Sequence, residues 1–247
     1  EYFKRLPLGE HGLWLGTGAE GRFWIFGDEG FGGHAALHCP GQAQVLWDVG
    51  ETFLKWRLRN APCTVEIRLE ADPTVLENLV DLQEAVRAHG AELGIAFDGD
   101  GDRIGAVDES ARPIWGDQLL VLFGRDAVRR FGPGVPVIFD VKCSESLPAA
   151  LTAAGARPVM WKTGHSLIKA KMKEEAAPLA GEMSGHIFFG GDWLGFDDAL
   201  FAAARLCEIV SRGPGGLAAL LADLPETFAT PELRVECSDE TKFAIVE

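Results

Sequence analysis

The sequence predicts an α/β fold made of two consecutive doubly wound domains, each with a mixed, mostly parallel sheet. From about residue 44 onward, short apolar runs alternate with longer stretches in which apolar residues recur at helical spacing. Glycine or proline punctuates most junctions between them. Polar side chains cluster just after several apolar runs, which is where open α/β sheets place their ligands.

Composition narrows the class of protein. The chain has 247 residues, of which 47% are hydrophobic and 24% charged, an ordinary globular profile. A net charge of −14 argues against general affinity for nucleic acid, although a site can be locally basic and bind an anionic substrate. The five cysteines are scattered without a CxxC pair, so we expect neither a zinc site nor a disulfide framework. No signal peptide or membrane-length apolar run is visible, and we expect a cytoplasmic protein with no membrane partner.

The first α/β unit is predicted at residues 44–112. Its last helix would be capped by Asp72 or Thr74 and would end at Gly90. The apolar stripe of this helix consists of Leu76, Leu79, Leu82, Val86 and His89. The predicted elements are, in order, strand 44–50, helix 51–60, strand 64–69, the helix just described, and strands 93–97 and 104–107.

The second unit is predicted at residues 113–224 and repeats the alternation of strands and helices. The predicted elements are helix 117–130, strand 135–141, helix 147–154, strand 158–162, helix 168–175, an apolar strand within 179–189, and helices 197–211 and 217–221. The glycine-rich residues 1–43 stay unassigned, although short aromatic pieces such as 21–26 are typical of strands in hairpins.

A loop of alternating aspartates and glycines joins the last two strands of the first unit. Residues 98–103 read Asp-Gly-Asp-Gly-Asp-Arg, which brings Asp98, Asp100 and Asp102 toward one point. Three converging carboxylates repel one another, so a hard divalent cation is their natural occupant. Arg103 offsets part of the charge and can reach a phosphate oxygen.

Two other interpretations of this loop exist. It could be a hairpin turn without an ion. It could also be an EF-hand, since Glu109 stands where the twelfth loop position would fall. Arg103 occupies the position at which the EF-hand turn needs glycine, and the apolar flanks favour strands where an EF-hand has helices.

Polar residues follow the strands of the second unit. They are Lys142, His165, Glu182, Ser184 and His186. An extended segment would point the last three to one side, and such a set suits a polyhydroxylated, phosphorylated ligand. Lys142 could instead be a solvated loop residue, His165 a helix-cap residue and 182–186 an ordinary turn. The pair at 197–198 is interpreted as a helix N-cap.

Three motifs together resemble the α-D-phosphohexomutase superfamily, and most of all its bacterial phosphomannomutase/phosphoglucomutase branch. They are residues 98–103, the Lys-Thr-Gly-His-Ser run at 162–166 and the Gly-Glu-Met-Ser-Gly-His run at 181–186, and the resemblance extends from about residue 44 to the C-terminus. It implies two central domains of phosphohexomutase type.

The resemblance also implies roles for the motif residues. Asp98, Asp100 and Asp102 would bind Mg²⁺, and Arg103 would lie beside a phosphoserine. Glu182, Ser184 and His186 would bind the sugar, while Lys142 and His165 would serve phosphate binding and proton transfer. The implied reaction moves phosphate between O1 and O6 of a hexose phosphate, with glucose or mannose 1,6-bisphosphate as intermediate and activator.

The chain departs from the family pattern at both ends. The phosphorylated serine loop is not recognisable in residues 1–43. Residues 225–247 look like the start of the family's fourth domain, without its phosphate-binding loop. We therefore expect an incomplete enzyme, with a non-catalytic Mg²⁺-binding or sugar-phosphate-binding fragment as the alternative.

Overall fold

A computed structural model describes residues 72–98, 100–213 and 215–225 in full, together with the backbone of six earlier strands. Those strands are β1 (Tyr2–Leu8), β2 (His11–Thr17), β3 (Phe23–Gly27), β4 (Gly32–Gly33), β5 (Leu37–His38) and β6 (Val65–Leu69). Strands β1 to β4 pair in chain order into an antiparallel sheet, in which β3 confirms the hairpin strand expected near 21–26. The strand and helix expected at 44–50 and 51–60 lie outside the described residues.

The second sheet carries the aspartate loop. Its order is β5-β6-β7-β8-β9, where β7 is Leu93–Phe97, β8 is Ile104–Asp108 and β9 is Pro113–Ile114. Strands β5, β6 and β7 are parallel, whereas β7, β8 and β9 pair antiparallel. Every residue of β7 and β8 is buried, as their apolar character predicts for all but Asp108, the last residue of β8.

The helix between β6 and β7 differs from its prediction at the start. A short 3-10 helix (Leu76–Leu79) leads into α1 (Val80–His89), and no side chain caps either element. The expectation that Asp72 or Thr74 caps the helix is wrong, because the Asp72 carboxylate accepts hydrogen bonds from Thr74 N–H and Oγ1 within its own turn. Gly90 ends α1 in the left-handed conformation, as predicted.

The third sheet has the order β11-β10-β12-β13. These strands are β10 (Pro136–Asp140), β11 (Arg157–Trp161), β12 (Leu179–Gly181) and β13 (Ile187–Phe189). Strand β10 is parallel to both β11 and β12, and β13 returns antiparallel to β12. The helices are α2 (Gly116–Phe131), α3 (Ser146–Ala153), α4 (His165–Glu175), α5 (Ala199–Arg212) and α6 (Leu217–Leu220). Helix α4 begins three residues earlier than predicted, so His165 is its first residue.

One hydrophobic core joins the second and third sheets. Phe97 and Ile104 of the second sheet belong to the same buried cluster as Phe123 of α2, Phe139 of β10 and Leu206 of α5. Burial of these side chains is the main favourable contribution to folding. Within the described part of the chain, none of the helices has the length and apolarity needed to cross a membrane.

Candidate functional site

The parallel strands bring the polar loops together. Lys142 lies two residues after β10, His165 opens the helix after β11, and Glu182 directly follows β12. Because these three strands are parallel neighbours, their carboxyl ends lie along one edge of the sheet. Asp98 likewise follows the carboxyl end of β7.

The aspartate loop gathers its three carboxylates as predicted. Oxygen atoms of Asp98, Asp100 and Asp102 lie within 4.8 Å of one another, with Asp98 buried and Asp100 exposed. Gly101 has a φ of +75°, the left-handed conformation that the alternating glycines predicted for this turn. The other glycine of the loop lies outside the described residues.

Arg103 is held by two carboxylates. Its Nε donates to Asp98 Oδ2 at 2.6 Å, and its Nη1 donates to Asp72 Oδ2 at 2.8 Å. Burial acts to raise the pKa of Asp98, but the hydrogen bonds and positive charge of Arg103 outweigh it and lower the pKa. Asp98 is therefore an ionised carboxylate, which is the form that binds a cation.

Asp102 behaves in the opposite way. Burial, together with the negative charges of Asp98 and Asp100, raises its pKa to about 6, while the positive charge of His186 acts against that rise. The third carboxylate of the loop is thus costly to ionise beside the other two. A bound cation would remove that cost, because it attracts all three.

His186 links the aspartate loop to the turn after β12. Its Nδ1 lies 3.7 Å from Asp102 Oδ2 and 3.3 Å from Asp197 Oδ2, and Lys169 Nζ donates to Asp197 Oδ1 at 3.1 Å. Asp198 caps α5 by accepting from two backbone N–H groups, as predicted, but Asp197 is not a cap. The sequence did not reveal the contact of Asp197 with His186, because residues 197 and 198 were both interpreted as a helix N-cap.

The turn that carries Glu182, Ser184 and His186 is not extended. Gly185 N–H donates to the Glu182 carbonyl and Glu182 N–H to the His186 carbonyl, which closes a tight hairpin turn. Alternation along an extended segment therefore does not decide where these side chains point, and that expectation is wrong. Glu182 is buried, and its Oε1 accepts a 2.5 Å hydrogen bond from Gly164 N–H.

Two close approaches fix this turn in place. Ile104 N–H donates to the Gly185 carbonyl at 3.1 Å, next to the aspartate loop. Gly185 has a φ of +89°, and a Cβ there would lie 2.5 Å from the Ile104 carbonyl oxygen. Glycine is thus required both for conformation and for contact.

The side chains of the remaining candidate residues are more exposed to solvent. Lys142 and His165 are exposed, and Ser184 is half-buried. Met183 is half-buried against the core, and its N–H donates to Asp140 Oδ1 at 3.0 Å. Asp140 is a buried carboxylate that sequence reasoning missed, although an acidic residue inside an apolar strand is itself a signal.

The position of Glu109 decides the EF-hand interpretation of the aspartate loop. Glu109 follows the end of β8 that is distant from the aspartate loop, about 17 Å away along five residues. Its carboxylate accepts from Ala218 N–H, so the EF-hand interpretation is wrong. Cys143 and Cys207 are buried, and burial raises the pKa of the Cys143 thiol. The other cysteines lie outside the described residues.

Known proteins resemble this chain across the same region. A protein-family model described as phosphoglucomutase/phosphomannomutase, alpha/beta/alpha domain III, matches residues 115–228. The model for alpha/beta/alpha domain II of that family matches residues 50–111. The two models follow each other in chain order and together cover most of the chain.

Individual relatives agree with the family models. The phosphomannomutase/phosphoglucomutase of Pseudomonas syringae pv. tomato is 52% identical over 176 residues, which are 71% of this chain and 38% of that protein. The phosphoglucomutase of Neisseria gonorrhoeae is 47% identical over 164 residues, 66% of this chain and 35% of that protein. The matched part of the chain thus spans well under half the length of these relatives.

A solved structure extends the likeness to three dimensions. The crystal structure of a phosphoglucomutase/phosphomannomutase family protein from Burkholderia thailandensis matches with a TM-score of 0.62 and 49% identity, over 65% of this chain and 35% of that one. The chain therefore belongs to the phosphoglucomutase/phosphomannomutase family of the α-D-phosphohexomutase superfamily, and it corresponds to the two central domains of that family.

Proposed function

We propose that this chain supplies the metal-binding and sugar-binding domains of a phosphohexomutase, which moves phosphate between O1 and O6 of a hexose phosphate through a 1,6-bisphosphate and a phosphoserine. The contact between Ile104 N–H and the Gly185 carbonyl carries the proposal, because it joins the aspartate loop to the turn that bears Glu182. A ligand with a phosphate at one end and vicinal hydroxyls along its ring suits such a pair of neighbouring loops.

Mg²⁺ is the proposed metal, and Asp98, Asp100 and Asp102 are its proposed ligands. Their oxygens lie within 4.8 Å of one another, and carboxylate oxygens are the ligands that Mg²⁺ prefers. The raised pKa of Asp102 supports the same fit, because crowded carboxylates are relieved by a divalent cation. When bound, the ion would polarise a phosphoryl group and offset its charge.

Arg103 is proposed to hold the phosphate that is transferred. Asp98 and Asp72 use its Nε and Nη1, which fixes the plane of the guanidinium. Among residues 72–225 as described, its Nη2 has no hydrogen-bond acceptor and is the nitrogen we assign to a phosphate oxygen. A guanidinium oriented in advance loses little conformational entropy when it binds.

The residues proposed to contact the sugar and its phosphate lie in loops along one edge of the third sheet. Glu182 is proposed to accept from vicinal hydroxyls through Oε2, because Gly164 N–H occupies Oε1. Ser184 and His186 would complete the sugar contacts on the same turn. Lys142 and His165 are exposed at neighbouring strand ends, which suits phosphate binding and proton transfer. A hexose 1,6-bisphosphate is the proposed intermediate and activator, and 44–112 and 113–224 are the proposed domain limits.

A chimeric enzyme tests the proposal. The matched segment of the Pseudomonas syringae relative is replaced by residues 50–228 of this chain, and turnover of glucose 1-phosphate and mannose 1-phosphate is assayed with Mg²⁺. We expect activity that Asp98→Asn abolishes. A folded chimera that binds Mg²⁺ without any turnover would instead favour the non-catalytic Mg²⁺-binding or sugar-phosphate-binding role.

A further inference from the structure

A buried carboxylate lies beneath the three loops of the sugar-binding edge. Asp140 is the last residue of β10 and is 0% exposed. Within the described residues no cationic side chain pairs with it. Asp108, which is equally buried, differs because it forms an ion pair with Arg112. A buried carboxylate without a cation is costly, so its presence calls for another explanation.

Each hydrogen bond of the Asp140 side chain reaches a different loop. Oδ2 accepts from Thr163 Oγ1 at 2.8 Å, in the loop that leads to His165. Oδ1 accepts from Met183 N–H at 3.0 Å, in the turn that bears Glu182. Oδ1 also accepts from Cys143 Sγ at 3.1 Å, next to Lys142.

The loops are also coupled to each other. The Glu182 carboxylate accepts from Gly164 N–H, so the loop held through Thr163 and the turn held through Met183 share a second hydrogen bond. We propose that Asp140 is a positioning residue, whose carboxylate sets the relative placement of the loops carrying Lys142, His165 and Glu182 for a hexose phosphate. The inference rests on the proposed function, because it concerns the placement of that function's sugar-side residues.

Three variants separate positioning from general stability. Asp140→Ala removes every acceptor at once. Asp140→Asn keeps one oxygen for Met183 N–H, and its amide can donate to Thr163 Oγ1. Asp108→Ala is the matched control, because it deletes a carboxylate of equal burial that accepts from Ser110 N–H and Arg112 N–H in a distant turn.

Hydrogen exchange of the full chain gives the structural readout. Asp140→Ala should accelerate exchange of the Met183 amide by about tenfold or more, as expected for a lost hydrogen bond. The Gly164 amide should also exchange faster, because its acceptor, the Glu182 carboxylate, belongs to the turn that is released. Asp140→Asn should stay within about threefold of the unsubstituted chain. Asp108→Ala should accelerate the Ser110 and Arg112 amides and leave those of Met183 and Gly164 unchanged.

Kinetics of the chimeric enzyme give the functional readout. Asp140→Ala should raise KM for a hexose 1-phosphate by about tenfold, Asp140→Asn should recover most of that loss, and Asp108→Ala should leave KM within about twofold. Thr163→Val removes one donor from an exposed position and should raise KM by about threefold even where Asp140→Ala does not fold.

Several outcomes would overturn the inference. It fails if Asp140→Ala and Asp108→Ala change KM equally, if Asp140→Asn recovers nothing, or if Thr163→Val leaves KM unchanged. A parent chimera without turnover would overturn the proposed function, and the catalytic meaning of this inference with it. An active parent with a KM unaffected by Asp140→Ala would overturn the inference alone.

Discussion

Two carboxylates of the aspartate loop have pKa values that are shifted in opposite directions. Asp98 is fully buried, yet the hydrogen bonds and charge of Arg103 lower its pKa. Asp102 is more exposed, yet burial and its acidic neighbours raise its pKa to about 6. The loop therefore holds one carboxylate that is stabilised without metal and one that is not. Under the proposed role in Mg²⁺ binding, such an arrangement sacrifices stability for binding.

Asp102→Asn should weaken Mg²⁺ binding and stabilise the metal-free chain. Loss of one of three carboxylates should raise the Kd for Mg²⁺ by at least about tenfold, because the charge of the ligands sets affinity. The metal-free chain should gain on the order of 1 kcal/mol at pH 7.5, a figure discounted because a third of the side chain is exposed. Calorimetric titration and urea unfolding measure the two effects, with exposed Glu92→Gln as the control.

The stability difference between Asp102→Asn and the unsubstituted chain should depend on pH. The folded pKa of about 6 lies above the ordinary 3.8, so the contribution of Asp102 to stability is present below pH 3.8 and lost as pH rises through 6. The variant should thus be the more stable one above pH 6, and its advantage should vanish near pH 4. Unfolding at four pH values checks this, and an advantage that is constant across that range contradicts the assignment.

Glu182→Gln should weaken sugar binding far more than Met183→Leu. Glutamine keeps the acceptor for Gly164 N–H but removes the charge behind hydrogen bonds to vicinal hydroxyls, worth about 1.5–3 kcal/mol. Met183→Leu conserves volume at a half-buried position and should cost less than about 1.5 kcal/mol of stability. Binding of a hexose phosphate to the chimeric enzyme is the measurement. Equal losses in the two variants would remove Glu182 from the sugar contacts.

At the scale of elements, the start of α2 limits the position of the turn at 182–186. A Cβ on Gly116 would lie 2.6 Å from the Glu182 carbonyl oxygen and 2.7 Å from that of Met183. Both neighbours are backbone, so relief requires movement of the turn. Glycine at this position therefore lets the helix and the turn approach each other.

Gly116→Ala should displace the turn and raise KM for a hexose phosphate in the chimeric enzyme, at a cost of about 1–3 kcal/mol in stability. Gly124→Ala is the matched control in the same helix, since its new Cβ would meet only side-chain atoms, those of Leu151 and, at 3.9 Å, Val137. That variant should lose comparable stability while KM stays unchanged. A KM increase of equal size in both variants would mean that helix stability, and not the turn, limits binding.

Elements with strong local signals were predictable, and those set by distant contacts were not. Strands β7 and β8 and the left-handed turn at Gly101 follow from apolar runs and glycine spacing. The shape of the turn at 182–186 could not be predicted in this way, because it depends on a hydrogen bond from Ile104 of another strand. Asp72 does not cap the helix because one carboxylate oxygen accepts from Thr74 within its own turn. The other accepts from Arg103, 31 residues away, which a local capping rule does not detect.

The site residues divide in a similar way. The three metal-loop carboxylates come together as the alternation of Asp and Gly predicted. Asp197 and Asp140 were missed, because the contact of Asp197 with His186 and those of Asp140 with three loops arise only when the sheet forms. The roles of Arg103, Lys142, His165, Glu182, Ser184 and His186 remain predictions for the experiments above.

At the scale of the whole molecule, the aspartate loop and the carboxyl edge of the third sheet belong to one packed body. The hydrophobic cluster that contains Phe97 of β7 also contains Phe139 of β10, and α5 packs against β7 and β8. Backbone hydrogen bonds from Ile104 N–H to the Gly185 carbonyl and from Ala199 N–H to the Gly101 carbonyl cross the same boundary. The distance between the aspartate loop and the turn at 182–186 is thus fixed by a shared core, which favours precise geometry.

A shared core predicts that the two sheets unfold together. Phe97→Ala and Phe139→Ala each remove a ring that is at most 2% exposed, and each should cost about 3–5 kcal/mol of one and the same unfolding transition. In the unsubstituted chain, the amides of Ile95 in β7 and Val137 in β10 should exchange with equal opening free energies. Site-resolved hydrogen exchange of the full chain across a urea series measures both. If Phe97→Ala lowers the opening free energy at Ile95 and leaves Val137 unchanged, the sheets are separate folding units, and the fixed distance between metal loop and sugar-binding turn must come from the complete enzyme.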